Sequence, residues 1–256
     1  ALAPVVIVPL ILWFGWRGMF QILGIVGLVY VFFYALFVKQ TKPQEETKED
    51  KSKKNKYFMH LLKFSLIWKL ILCAFCISCI NKGLDAWMPT YLIAERGINL
   101  KAVGYLTPIP FIASFLSTAV CGWVMNKYFD KKENWMIVIC AALTAIFLYF
   151  MYNAETIMWV VIFQCGVYFF KACILGTAVA IVLKIVTGSI AGSASTLINM
   201  GGQVAGFISP IIMGYLVYAF NGSFNAVFYY LMGVAALCAI SALLIPTRKE
   251  DIALSG

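Results

Sequence analysis

Few charged residues interrupt the long apolar stretches of this chain, and Lys171 is the most isolated of them. Gln164 and Tyr168 precede Lys171 by seven and three residues, a spacing that predicts all three on one face of a helix. That helix carries no Asp or Glu, and its middle is too far from water for a lysine to reach. We therefore expect an unpaired cation that faces a water-filled cavity and binds an anion. The alternative is a structural pair with another helix.

A second polar group occurs at the end of an earlier apolar stretch. Ser78, Asn81, Lys82 and Asp85 fall on one helical face, just before a break that we expect at Gly83 and Pro89. Lys82 and Asp85 are three residues apart and are expected to pair. In the functional interpretation Asn81 and Lys82 hold an anion, with Asp85 as the partner of Lys82 or as an outer gate. The alternative is a half-solvated ion pair at the mouth of the helix.

A third polar pair, Asn199 and Gln203, lies four residues apart late in the chain and shares a helical face. Amides there can hydrogen-bond a polyhydroxy acid without carrying charge. The alternative is a hydrogen bond between helices, which is worth only about 0.6 kcal/mol in membranes.

Metal and redox chemistry are not expected from this sequence. All eight cysteines fall inside apolar stretches, and Cys73, Cys76 and Cys79 drift around a helix instead of converging on one cluster. They are typical of small packing residues. His60 is the only histidine and lies at a helix entrance. We expect no cofactor and no metal.

The elements that position these residues are predicted to be membrane helices. The chain is 62% hydrophobic and 12% charged, whereas soluble proteins carry about 25% charged residues. Apolar runs of about 20 residues recur along its length and predict an all-α, polytopic bundle. The expected helices are 17–38, 61–84, 101–126, 134–152, 157–184, 190–219 and 223–245, with a partial one at 1–13.

The net charge of +9 reflects membrane orientation, not nucleic-acid binding. If the loop over 39–60 is cytoplasmic, Lys and Arg cluster at the inner flanks of the helices, and only Arg17, Arg96 and Lys101 remain outside. This asymmetry predicts a multi-pass protein of the plasma or inner membrane with a cytoplasmic C-terminus. Its partners are then the lipid bilayer and a small molecule.

The domain organisation follows from a charged linker and a repeated pattern. Residues 39–60 mix both charges and predict a cytoplasmic linker between a helical hairpin (1–38) and a six-helix bundle (61–246), followed by a tail (247–256). Pro4–Phe14 and Pro210–Phe220 match in spacing, as equivalent hairpins of two related halves would. We therefore expect helices 5–12 of a twelve-helix protein, and expect that this piece alone does not transport.

Particular motifs resemble the anion:cation symporter family of the major facilitator superfamily. The resemblance covers essentially the whole chain and is carried by the following segments: Phe14-Gly15-Trp16-Arg17-Gly18-Met19-Phe20, Trp87-Met88-Pro89-Thr90-Tyr91-Leu92, Glu95-Arg96-Gly97, and the small residues from Gly192 to Gly214 around Asn199 and Gln203. The Trp87–Leu92 element is also similar to the related organophosphate:phosphate antiporters.

The resemblance implies an ion-coupled secondary transporter of a small organic anion, such as a sugar acid, with a proton or sodium as coupling ion. It also implies alternating access between two bundles. One alternative is a facilitator-fold ligand sensor, and another is a sugar-phosphate:phosphate antiporter. An intramembrane enzyme is not expected, because such enzymes need a His/Asp or paired-carboxylate site and the predicted spans hold a single acid, Asp85.

Overall fold

The computed structural model describes residues 3–37, 63, 65–130, 132–185 and 191–245. The expected linker over 39–60 and tail over 247–256 lie outside them. The described residues form helices joined by turns and short loops, without strands, which confirms the all-α prediction. The helices are α1 Ala3–Phe37, α2 Ser65–Ala94, α3 Leu100–Leu106, α4 Pro108–Tyr128, α5 Glu133–Tyr152, α6 Ile157–Ile185, α7 Ala191–Ala219 and α8 Asn225–Leu243. Seven segments of the described chain are long and apolar enough to cross a membrane, α3 and α4 together forming one of them.

Gly15 divides α1 into two helical arms. Its φ of 68° and ψ of 172° lie outside helical geometry, in a region that residues with a Cβ rarely adopt. The break falls where the sequence predicts the first apolar run to end. The second arm, 16–37, is exposed along most of its length.

The expected break in α2 at Gly83 and Pro89 is wrong, because the helix continues to Ala94. Gly83 instead allows α2 to approach α7 closely. A Cβ there would lie 2.5 Å from Sδ of Met213 and 2.9 Å from Oγ of Ser209. Pro89 removes one backbone hydrogen bond, but inside a membrane the remaining backbone groups have no better partner than the helix itself.

A helix boundary falls instead at Thr107, within the single helix expected over 101–126. The backbone N–H and the hydroxyl of Thr107 both donate to the carbonyl of Val103, at 2.9 and 2.7 Å. Pro108 follows at the start of α4, where its missing N–H costs nothing. The short α3 and the longer α4 therefore meet at a tight junction.

The centre of the bundle is α2, which packs against α7 and α8, while α6 packs against α4 and α5. Seven of the eight cysteines are buried, in agreement with a packing role, and all eight are free thiols. Cys73 of α2 and Cys238 of α8 bring their sulfur atoms to 3.6 Å. The described residues contain no cluster of three or more His, Cys, Asp or Glu side chains that could hold a metal ion.

Polar contacts fix the loops at one end of the bundle. Arg96 donates from Nη2 to the carbonyl of Ala154 at 2.8 Å and from Nε to the hydroxyl of Tyr91 at 2.8 Å. Glu95 accepts from the backbone N–H of Phe224 at 3.3 Å. These bonds link the α2–α3 connection to the α5–α6 and α7–α8 connections.

An ion network occupies the opposite end. Lys184, near the end of α6, lies 2.8 Å from Oε1 of Glu133 and 3.4 Å from Oδ1 of Asp130. The hydrogen bond to Glu133 is the main reason that the pKa of Lys184 is raised above its usual value. The network joins α6 to the α4–α5 connection in an exposed position, where ion pairs contribute little stability.

Candidate functional site

A cavity of about 350 Å³ lies between α2, α4 and α6. Its lining combines one ammonium group with an amide, three hydroxyls and an apolar wall. The lining residues are Ile77, Ser78, Asn81, Ser114, Thr118, Lys171, Ala172, Leu175, Gly176 and Val179. Such a mixture of apolar surface and a few convergent polar groups is typical of a small-molecule site.

Lys171 of α6 supplies the charge of the cavity, but it is not the unpaired cation that we expected. Its side chain is 5% exposed, and Nζ lies 3.4 Å from Oδ1 of Asp85. The expectation failed because the acid comes from α2, 86 residues earlier in the chain. Lys171 therefore forms the alternative that the sequence left open, a pair with another helix, and it also lines the cavity.

Tyr168 connects the two charged groups. Its hydroxyl donates to Oδ1 of Asp85 at 2.5 Å, and its ring centroid lies 3.2 Å from Nζ of Lys171. The ring is buried and meets Phe111 edge to face at 5.2 Å. Tyr168 is outside the cavity lining, so its contacts hold the ion pair in place.

The expected pairing of Lys82 with Asp85 is corrected. Among the described residues, Asp85 forms an ion pair with Lys171, and no ion pair includes Lys82. The Lys82 side chain runs instead toward α7, where a Cβ on Gly206 would lie 3.3 Å from its Cγ. Asp85 therefore bonds to two residues of α6, Lys171 and Tyr168, and not to Lys82 of its own helix.

The remaining candidates separate into two groups. Asn81 lines the cavity beside Lys171. Gln164 is buried one turn before Tyr168 and lies outside the lining. Asn199 and Gln203 are exposed on α7, with Nε2 of Gln203 at 3.4 Å from Oδ1 of Asn199. The structure does not bring this amide pair into the cavity.

The polar lining residue Thr118 has no counterpart among the predictions from the sequence. It lies four residues after Ser114, and this spacing on α4 is the signal that could have revealed it. The Thr118 hydroxyl donates to the carbonyl of Ser114 at 3.0 Å, which leaves its oxygen free to accept from a ligand. The same helix turns Ser117 toward α6, where Oγ donates to the carbonyl of Phe169 at 2.6 Å.

Comparison with known proteins agrees with this fold. Residues 1–171 match the family model of the Major Facilitator Superfamily. The chain is 27% identical to the probable galactarate/D-glucarate transporter GudP of Escherichia coli over 67% of its length, and 28% identical to the probable sulfoacetate transporter SauU of Cupriavidus necator over 60%. A crystal structure of a bacterial homologue of the human lysosomal transporter Spinster, inward-facing and occupied, shares the fold. It superimposes with a TM-score of 0.59 at 12% identity, covering 90% of this chain and 55% of that one.

The chain therefore belongs to the Major Facilitator Superfamily, which confirms the superfamily that its motifs indicate. It is a multi-pass membrane protein, and the names of its relatives indicate transport and not catalysis. The matched region spans 38% of GudP and 37% of SauU, so the chain corresponds to well under two thirds of these relatives.

Proposed function

We propose that the full-length gene product is an ion-coupled secondary transporter of a small organic anion, a sugar acid or a similar carboxylate. The observation that carries the proposal is a buried ammonium group, Lys171, in the wall of a polar cavity of about 350 Å³. An ionisable group at membrane depth is costly, and it commonly marks a substrate pathway. The relatives are named for galactarate, D-glucarate and sulfoacetate, all of which are organic anions.

The cavity suits such a substrate chemically. The Lys171 ammonium lines the cavity, and its N–H donors can bind a carboxylate. Asn81, Ser78 and Ser114 supply amide and hydroxyl groups for the hydroxyls of a sugar acid. The volume lies at the lower end of the range for small-ligand sites, about 300–1,000 Å³.

In this mechanism two helical bundles rock about the site to expose it to each side in turn. Residues 61–246 form the second bundle, and the 1–38 segment belongs to the first. A proton or sodium ion is the coupling ion. The C-terminus lies in the cytoplasm, on the side where Lys and Arg are concentrated.

The proposal is tested by uptake into proteoliposomes that contain the full-length gene product. We expect accumulation of at least one of D-glucarate, galactarate and sulfoacetate, and none of the neutral sugar glucose. Lys171→Gln removes the cation, so uptake should fall at least tenfold, which corresponds to about 1.4 kcal/mol of lost interaction.

The matched control is Lys184→Gln, which removes an exposed lysine from the same helix, α6. Its uptake should stay within about twofold of the wild type, because exposed ion pairs contribute little. Absence of uptake for all three anions contradicts the proposed function. So does a Lys171→Gln variant as active as the wild type.

A further inference from the structure

Lys171 lines the cavity, and its partner Asp85 lies just outside the lining residues. The Lys171 side chain is 5% exposed and that of Asp85 is 31% exposed, so water reaches the acid more easily than the base. Lys171 and Tyr168 both donate to Oδ1 of Asp85. Among the hydrogen bonds of the described residues, none ends on Oδ2. That oxygen is therefore placed to accept a proton.

Few other charged groups lie on the helices around this pair. Helices α7 and α8 contain no Asp, Glu, Lys, Arg or His. On α6 the other charge is Lys184, thirteen residues further on and about 20 Å away. The charge of α4 is Lys127, near its end. On α2, Lys82 lies one turn before Asp85, and Lys69 lies sixteen residues before it. Lys171 and Asp85 therefore offset one another, while Lys82 adds a positive charge one turn away on α2.

The other titratable groups on these helices are phenols and thiols, which ionise near pH 10 and pH 8.5 in water. They are Tyr91, Cys73, Cys76 and Cys79 on α2, Tyr128 and Cys121 on α4, Tyr168, Cys165 and Cys173 on α6, Tyr215 and Tyr218 on α7, and Tyr229, Tyr230 and Cys238 on α8. Helix α3 also contacts α2, and it contains Lys101 and Tyr105. Asp85 is thus the one carboxyl group on these described helices.

A carboxylate that enters the cavity competes with Asp85 for the Lys171 ammonium. It would place two negative groups around one buried ammonium, and like charges close together disfavour joint ionisation. Protonation of Asp85 removes the excess charge. Oδ1 can remain hydrogen-bonded to Tyr168 while Oδ2 binds the proton.

We propose that Asp85 is the exchangeable counter-ion of Lys171: a substrate carboxylate takes its place at the ammonium, and Asp85 takes up one proton from water. The step breaks the Lys171–Asp85 contact, forms a Lys171–substrate contact and adds one O–H bond at Asp85. When the substrate leaves on the other side, the proton returns to water there and the pair re-forms. One proton therefore travels with each substrate molecule, an inference that rests on the proposed function.

Tyr168 is a positioning residue in this cycle. Its ring supports the ammonium, and its hydroxyl keeps Asp85 beside the cavity in both protonation states. Because a donated hydrogen bond favours the carboxylate over the carboxylic acid, Tyr168 also sets the pH range in which the exchange occurs.

The test measures the affinity of the purified full-length gene product for D-glucarate as a function of pH. Carboxyl groups ionise near pH 4, so the ligand keeps its charge between about pH 6 and about pH 8. Because the bound state holds one proton more, wild-type affinity should fall by up to about tenfold per pH unit as the pH rises. Binding should also take up about one proton per D-glucarate, measured with a pH-sensitive dye.

Asp85→Asn, whose amide cannot titrate, should bind D-glucarate with an affinity that does not change with pH. In proteoliposomes it should still exchange labelled for unlabelled D-glucarate but should not accumulate it in response to a pH gradient. An Asp85→Asn variant with the wild-type pH dependence or with proton-driven accumulation overturns the inference and leaves the proposed function standing. A wild type that neither binds nor exchanges any of the three anions overturns both.

Tyr168→Phe keeps the inference testable if Asp85→Asn does not fold. It removes only the hydroxyl, so the pH range in which affinity falls should move upward. The matched control is Tyr215→Phe, an exposed tyrosine on α7 that should leave the pH profile in place. An unmoved profile in Tyr168→Phe, or wild-type binding without proton uptake, contradicts the inference.

Discussion

At the scale of single residues, the Lys171–Asp85 pair is held by groups from two helices, with Tyr168 bridging them. Such a pair contributes modestly as a unit, because the Lys171 ammonium loses its hydration while Asp85 keeps part of its own. Removal of Asp85 is more harmful, at up to about 3–5 kcal/mol, since it leaves the Lys171 charge buried without compensation. The two side chains should therefore be strongly coupled in stability as well as in substrate binding.

A double-mutant cycle should show this coupling. We expect Lys171→Gln and Asp85→Asn each to lower the thermal stability in detergent, and the double variant to be less destabilised than the sum, by about 1–3 kcal/mol. The comparison cycle uses Lys184→Gln and Asp130→Asn, whose side chains are 34% and 63% exposed. That exposed pair should show no measurable coupling. Equal coupling in both cycles would contradict the structural role assigned to the buried pair.

At the scale of the helices, glycines decide how closely some neighbours pack. Gly166 of α6 faces Phe147 of α5, and a Cβ at Gly166 would overlap the ring atoms of that phenylalanine. Phe147 also packs against Phe163 and Phe170, with ring centroids at 6.2 and 5.5 Å. The neighbouring rings restrict the movement of the Phe147 ring. The close contact between α5 and α6 therefore depends on the absence of a side chain at Gly166.

Gly166→Ala should therefore lower the melting temperature, because overpacking typically costs about 1–3 kcal/mol. Gly233→Ala in α8 is the matched control, since a Cβ there meets nothing within 4 Å. The same substitution at Gly233 should leave stability unchanged or raise it by up to about 1 kcal/mol, from helix propensity alone. Similar melting temperatures for both variants would contradict the close packing at Gly166.

The sequence predicts these helices well because a membrane span needs a long apolar run, which is visible without knowledge of its neighbours. It predicts contacts between helices poorly. The partner of Lys171 could not be identified, because Asp85 becomes its neighbour only through the relative rotation of α2 and α6. Gly83 shows the same limit: a glycine that permits close packing and a glycine that breaks a helix have the same local sequence signature.

At the scale of the whole molecule, the distribution of positive charge determines how the bundle crosses the membrane. Lys127 and Lys132 flank the α4–α5 connection, whereas the α5–α6 connection contains Glu155 and no Lys or Arg. The 20 residues of α5 span about 30 Å, the thickness of the hydrocarbon core. Its two ends must therefore lie on opposite sides, and the basic end is expected in the cytoplasm.

Cysteine labelling in intact cells should reveal this orientation. Glu155→Cys and Lys132→Cys both replace exposed residues, just outside the two ends of α5. Because the basic end is expected inside, a membrane-impermeant maleimide should label Glu155→Cys from outside, and Lys132→Cys only after the cells are permeabilised. The unsubstituted protein gives the background, which should be low because seven of its eight cysteines are buried. Labelling of Lys132→Cys in intact cells would show the opposite orientation, with the Lys184 network outside and the loops bonded by Arg96 in the cytoplasm.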